Sequence, residues 1–315
     1  MKNIYKNSTL NLKKASKILI KNNILVLPTE TVYGLAGNAY STKSIKKIYS
    51  LKKRPKKNPL IIHYSNLKHL QKDAYLNKNF FTLYNKFSPG PLTYILKKKK
   101  NSKISTLANA NLETIAVRFP NNNATRKLLK KINFPLAIPS ANISTGVSPV
   151  SSADVSDEFG NKIKFILDTG PTKIGLESTV INLYKKIKIL RPGSISKSQI
   201  SKELKINVPV IKKTLKITSP GLLKKHYSPG IPIKLNCKRV KLDDKDAFIV
   251  IGKKYKKGPN IFNLSNKSNL NEAARNLYKT LRKIKNLGYK KINVIKIPNK
   301  KIGIAINDRL KKASY

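Results

Sequence analysis

The chain has 315 residues, and 66 lysines and arginines against 14 acids give it a formal net charge of +52. That field attracts polyanions, nucleic acid foremost, although lysine, asparagine and isoleucine crowd loops and helices alike, as codon drift in an AT-rich genome would produce. A single cysteine, Cys237, excludes a disulfide framework and any cysteine-built metal site, while a hydrophobic fraction of 40% and this length suit one large and one small domain.

Along the chain, short apolar runs alternate with amphipathic segments, the pattern of an α/β fold. Strands are predicted at 24–27, 60–62, 92–96, 115–118, 136–138, 163–167, 179–183 and 187–190. Helices are predicted at 12–21, 43–51, 79–87, 124–132 and 197–204. The helix at 43–51 follows the capping hydroxyls of Ser41 and Thr42, turns Ile45, Ile48 and Leu51 to one face and stops before Pro55. Residues 205–218 carry no clear register, and the two Ser-Pro-Gly triplets within 219–230 read as a linker. The alternation restarts with strands at 231–235 and 248–251, a helix at 271–288 ending on a glycine, a strand at 292–297 and a helix at 303–313. The expected organisation is a large domain at 1–205, a linker at 206–230 and a small α/β domain at 231–315. The first residues lack the apolar core of a signal peptide, and no apolar run approaches the roughly 20 residues of a membrane span, so a cytoplasmic location is expected.

The common nucleotide and hydrolase signatures are missing: there is no G-x-x-x-x-G-K-[ST], G-x-G-x-x-G, G-x-S-x-G or H-E-x-x-H. Four other stretches stand out: "LPTETVYGL" (27–35), "SLKKRPKKNPLIIHYS" (50–65), "IPSANISTGVSPVS" (138–151) and "GLESTVINL" (175–183), the last followed by "LRPGSIS" (190–196). Each places small polar groups beside a strand end, where ligands bind in α/β sheets. One such stretch alone is usually a turn or a helix cap; four in one domain point to a site. Acids are scarce, yet Glu30 and Glu177 both sit inside hydroxyl clusters.

In this order the stretches resemble the YrdC-like family of threonylcarbamoyl-AMP synthases. The resemblance rests on Pro28-Thr-Glu-Thr-Val-Tyr-Gly34, Lys52-Lys-Arg54-Pro with Asn58-Pro-Leu, Ser88-Pro-Gly-Pro-Leu-Thr93, Val117-Arg-Phe-Pro120, Pro139-Ser-Ala-Asn142, Glu177-Ser-Thr179 and Leu190-Arg-Pro-Gly193. "SPGLLKKHYSPG" and the tail "EAARNLY…GIAINDRLKKAS" are similar to the longer, two-domain form, with the tail domain trimmed. The resemblance implies a twisted mixed-sheet catalytic domain followed by a smaller, Rossmann-like α/β domain. It implies the reaction of L-threonine, bicarbonate and ATP to threonylcarbamoyl-AMP and pyrophosphate, for modification of an adenosine next to the tRNA anticodon. Mg²⁺ is expected with the ATP, held largely by phosphate oxygens and water. Threonylcarbamoyl-transfer enzymes would act downstream, tRNA or double-stranded RNA is an expected partner, and no membrane is involved.

Residue by residue, the resemblance implies that Lys52, Arg54, Ser140 and Asn142 form the catalytic phosphate site. Asn58, Thr114, Ser148 and Arg191 match further ATP contacts, and Tyr227 is expected to close over the nucleotide from the linker. Thr29 or Thr31, with His63, Arg118 and Ser178, matches the threonine pocket. Arg118 is expected to meet the substrate carboxylate rather than an acid of the chain, because acids are so few. Such chemistry needs positioning and positive charge more than a protein nucleophile. The alternative is a non-catalytic RNA-binding module using a basic concave face. A carbamoyl-transfer enzyme of hydrogenase maturation is discarded, since that class adds zinc-finger cysteines and an acylphosphatase-like segment.

Overall fold

Asparagine and serine, so frequent in this chain, start its helices. The side chains of Ser8, Ser41, Asn66, Asn77, Asn122, Ser151, Ser196 and Asn269 each accept a backbone N–H of the first helical turn. The computed structural model describes residues 3–211, 225–242 and 245–315, so the first Ser-Pro-Gly triplet of the linker lies outside the described residues. In chain order the elements are β1 (Ile4–Lys6), α1 (Thr9–Ile20), β2 (Leu25–Pro28), β3 (Tyr33–Asn38), α2 (Thr42–Lys52), β4 (Ile61–His63), α3 (Leu67–Leu70), α4 (Lys78–Phe87) and β5 (Leu92–Lys97). Next come β6 (Thr114–Arg118), α5 (Asn123–Lys131), β7 (Leu136–Ala137), α6 (Ser152–Phe159), β8 (Ile166–Asp168), β9 (Thr179–Asn182), β10 (Lys188–Arg191) and α7 (Lys197–Leu204). The tail holds β11 (Ile233–Cys237), β12 (Ala247–Val250), β13 (Ile261–Asn263), α8 (Leu270–Asn286), β14 (Ile292–Ile295) and α9 (Gly303–Ala313).

The expected strands and helices recur with ends shifted by a few residues. Among the additions is β3, in a stretch to which the sequence pattern assigned no element. Its sequence Tyr-Gly-Leu-Ala-Gly-Asn is poor in β-branched residues. It is a strand because both faces are covered: Gly34 lies so close to Ile138 and the Pro139 carbonyl that a Cβ there would sit 2.3 Å from Ile138.

The larger sheet has ten strands in the order β1-β8-β2-β3-β7-β4-β6-β5-β9-β10, with parallel and antiparallel pairs mixed. Register brings the motifs together. His63 pairs with Arg118, Arg118 with Thr93, and Thr93 with Val180, so β4, β6, β5 and β9 bring these residues into one row. The tail forms a four-stranded parallel sheet, β11-β14-β12-β13. Its core continues across the interface, where Val32, Val147, Val150 and Leu176 pack with Tyr227, Tyr278 and Ile306. The approach is close at Gly175, which has a φ of +80° and whose added Cβ would sit 2.6 Å from the Arg275 Cα. A side chain there would be strained and would push α8 away. No helix of the described residues is long and apolar enough to cross a membrane.

Candidate active site

Strand ends and the loops that follow them line one pocket with Thr31, Val32, Arg54, Leu60, Ile61, Arg118, Ile138, Pro139, Ser140, Glu177, Arg191 and His226. The space between them is small, a cavity of about 50 Å³. A larger hollow of about 480 Å³ lies on the small sheet, lined by Lys234, Lys238, Arg239, Lys241 and Lys291 among others, and holds none of the motif residues.

The loop from Pro139 to Gly146 is held from below by Lys52. Its Nζ donates to the carbonyls of Ser140 and Asn142, at 2.5 Å each, and its own carbonyl accepts the Ser144 N–H. Burial, then the charge of Arg54, pushes this amine well below the ordinary lysine range. Lys52, expected at the phosphates, thus has its amine on the carbonyls of the Ser140–Asn142 loop. Of this lysine–arginine pair, Arg54 is the member that lines the pocket. Its Nε and Nη2 donate to the carbonyls of Asn58 and Pro59 at 3.0 and 2.8 Å, which fixes the plane of the guanidinium. Asn142 spends its amide N–H groups on Ile143 and Gly146 carbonyls at 2.7 and 2.9 Å, while its buried Oδ1 has no partner.

Arg118 stands at the end of β6, 4% exposed, and lines the same pocket. Contrary to the argument from scarce acids, it has a protein partner: Nη2 donates to Glu30 Oε1 at 2.6 Å. Scarcity misleads here because Glu30 lies only two residues beyond β2, close to the strand ends, and its other oxygen accepts the Asn121 N–H at 2.9 Å. Thr29 and Thr31 separate by role. The Thr29 hydroxyl closes its own turn by donating to the Val32 carbonyl at 2.7 Å, whereas Thr31 lines the pocket. His63 is buried beside Arg118; burial, then that positive charge, pushes it well below its ordinary range, and its Nε2 has no partner. Ser178 shares a 2.7 Å hydrogen bond with Thr93 and accepts from Arg191 Nη2 at 3.1 Å.

Glu177 gives the opposite wall its charge. Ser148 donates to one oxygen at 2.5 Å, and Tyr278 and Arg309 both donate to the other at 2.9 Å. Burial alone would raise this carboxyl, but Arg309, then Arg191 and the Ser148 hydroxyl, bring it down to about 2. Ser148 therefore reaches the pocket only through Glu177. Neither Thr114, which opens β6, nor the buried Asn58 is among the residues lining the pocket.

In the described part of the linker, His226 and Tyr227 take different places. His226 lines the pocket, with its buried Nδ1 unpartnered. Tyr227, expected over the nucleotide, has a φ of +64° that turns its ring into the interface. There it is fully buried, stacked 5.8 Å from Tyr278, with the Arg309 guanidinium 5.0 Å from its ring centre. Sequence reasoning missed His226, Tyr278 and Arg309; His226 carried a signal as one of three histidines and part of the linker, and Arg309 as one of few arginines in a lysine-rich chain.

Known proteins resemble the chain in sequence and in fold. Residues 17–193 match the Sua5/YciO/YrdC model, described as telomere recombination, and residues 195–314 match the one described as threonylcarbamoyl-AMP synthase, C-terminal domain. A threonylcarbamoyl-AMP synthase of Pyrococcus abyssi is 34% identical over 319 residues, 95% of this chain and 93% of that protein. One of Bacillus subtilis is 38% identical over 225 residues, 70% of this chain and 65% of that protein. Among solved structures, P. abyssi Sua5 complexed with L-threonine superposes with a TM-score of 0.90 at 30% identity, covering 99% of this chain and 97% of that one. The chain therefore belongs to the Sua5/YciO/YrdC family, in the form that carries the Sua5 C-terminal domain.

Proposed function

We propose that this protein is a threonylcarbamoyl-AMP synthase, and that the pocket between the strand ends and the linker is its active site. The observation that carries this reading is the convergence of Arg54, Arg118 and Arg191 with the hydroxyl-bearing Thr31 and Ser140 on one pocket. L-Threonine lies with its carboxylate on Arg118, whose plane Glu30 fixes. The threonine nitrogen adds to the carbon of bicarbonate, water leaves, and a carbamate forms. A carbamate oxygen then bonds to the α-phosphorus of ATP as the bond to the β-phosphate bridging oxygen breaks and pyrophosphate departs. Arg54 and Arg191 meet the growing charge on the phosphates, where fixed donors in a dry site act most strongly. Ser140 and Asn142 orient the nucleotide from the loop that Lys52 supports. The remaining expected residues, Asn58, Thr114, Ser148, Ser178 and His63, support these groups or the threonine side chain.

Among the described residues no cluster of three His, Cys, Asp or Glu side chains could hold a metal, and the oxygens of Glu177 are already hydrogen-bonded. Mg²⁺ enters this reading with the substrate, held largely by ATP phosphate oxygens and water. His226 puts the linker at the pocket, so in this reading residues 225–230 move aside to admit ATP and return to keep water from the reactive anhydride. The product serves tRNA modification in the cytoplasm, and the +52 charge draws the acceptor RNA near. The reading is tested by incubating the protein with ATP, L-threonine and labelled bicarbonate. Pyrophosphate release should require all three, and labelled threonylcarbamoyl-AMP should appear; RNA binding without either product would favour the RNA-binding alternative.

A further inference from the structure

The C-terminal domain contributes more than a surface to this site. Arg309, on α9, is fully buried and faces several groups at once. Its Nε donates to Glu177 in the pocket wall at 2.9 Å, its Nη1 to Asp308 at 2.6 Å, and its guanidinium carbon lies 5.0 Å from the ring centre of Tyr227 in the linker. Tyr278, on α8, repeats the pattern: its hydroxyl reaches the same Glu177 oxygen at 2.9 Å and its ring stacks on Tyr227. The residue before Tyr227 is His226, which faces the pocket while its amide donates to the Lys312 carbonyl at 3.0 Å. Buried ion pairs are poor stabilisers compared with apolar packing of the same volume. A network of this kind directly behind a pocket wall therefore calls for a role beyond stability.

We propose that Arg309 is a positioning residue for the reaction: with one guanidinium it fixes Glu177 in the wall and Tyr227 in the linker, and so holds His226 in the pocket. The proposal rests on the synthase reading for its consequence but not for its geometry. It gives the C-terminal domain a defined task, since α8 and α9 register the closed linker against the catalytic wall. Lifting the linker to admit ATP breaks the Tyr227 contacts, while Glu177 remains held by Ser148 and Arg309.

The test needs a readout of linker position that does not depend on activity, and the three histidines supply one. In the closed state His226 is held down to about 3, by burial first and then by Arg54, Arg191 and Lys52, with Glu177 opposing them and the Tyr227 ring packed edge-on at 3.9 Å. Imidazole NMR of the wild type should thus show no His226 titration between about pH 5 and 8. In Arg309→Met one additional histidine signal should titrate near the ordinary value of about 6.5, and it should vanish in Arg309→Met/His226→Gln. The same variant should lose about 100-fold in kcat, the scale of a small misplacement of reacting groups, and Arg309→Lys should recover only part of both effects. If Arg309→Met strands Glu177 and fails to fold, Arg309→Lys keeps the charge and decides the matter through the same two readouts. A folded variant with His226 silent and kinetics within about twofold of wild type would overturn the proposal. A wild type that makes no threonylcarbamoyl-AMP would sink the functional reading alone and leave the histidine titration to decide on Arg309.

Discussion

At one corner of the pocket an arginine faces the cavity and a glutamate stands behind it; at the opposite corner a glutamate faces the cavity and an arginine stands behind. The first pair, Arg118 and Glu30, lies within the catalytic domain, and the strand register that aligns Arg118 with His63 and Thr93 fixes it. The second, Glu177 and Arg309, spans the two domains. Both pairs are almost fully buried, so in each the inner member sets the sign that a ligand meets. Arg118 suits a carboxylate, and Glu177 a hydrogen-bond donor. The difference teaches that chemically similar pairs fail differently: the first corner survives as long as the larger sheet does, whereas the second also requires the C-terminal domain to be docked.

Breaking the first corner should have the largest effect. Arg118→Met leaves Glu30 buried without its cation, which costs about 3–5 kcal/mol. Denaturant unfolding should show that loss together with a raised KM for L-threonine. Next in size is Glu177→Gln, which sharpens the comparison through pH. The folded carboxyl is depressed to about 2 against about 4.3 unfolded. Its stabilisation is therefore fully present above the unfolded value and is lost as pH falls towards the folded one, roughly 3 kcal/mol in all. The glutamine variant should lack that part of the acid dependence in unfolding measured between about pH 5 and 2. Smallest is Arg54→Lys, which keeps the charge and touches neither corner. It loses the planar fork, worth roughly 1.5–3 kcal/mol per charge-assisted hydrogen bond, so about 10- to 100-fold in rate should go with stability little changed.

Much of this was legible beforehand. Apolar runs such as Leu92–Leu96 and Ile115–Arg118 mark the central strands, and the polar loops beyond strand ends mark the site. Strand β3 was not, because its glycines and alanine owe their strand state to the neighbours that cover them. Arg309 and Tyr278 were not either: helical spacing reveals which residues are buried, not that two of them meet a carboxylate more than 100 residues earlier. A usable signal did exist. Only eight of the 66 cationic residues are arginine; three of these, Arg54, Arg118 and Arg191, line the pocket, and Arg282 and Arg309 bond across the interface. Where lysine is the default cation, an arginine marks a place that needs a planar, always-charged fork. The packing of the Tyr227 ring against Tyr278 leaves no local trace either, since its partner lies on a distant helix.

The most direct test of the two-corner account is steady-state kinetics of Arg118→Lys and Arg309→Lys beside the wild type, with L-threonine varied at saturating ATP and bicarbonate. The account predicts that Arg118→Lys raises the KM for threonine by about tenfold or more, whereas Arg309→Lys lowers kcat and leaves that KM within about twofold. Equal shifts of the threonine KM in both variants, or a shift only in Arg309→Lys, would contradict it.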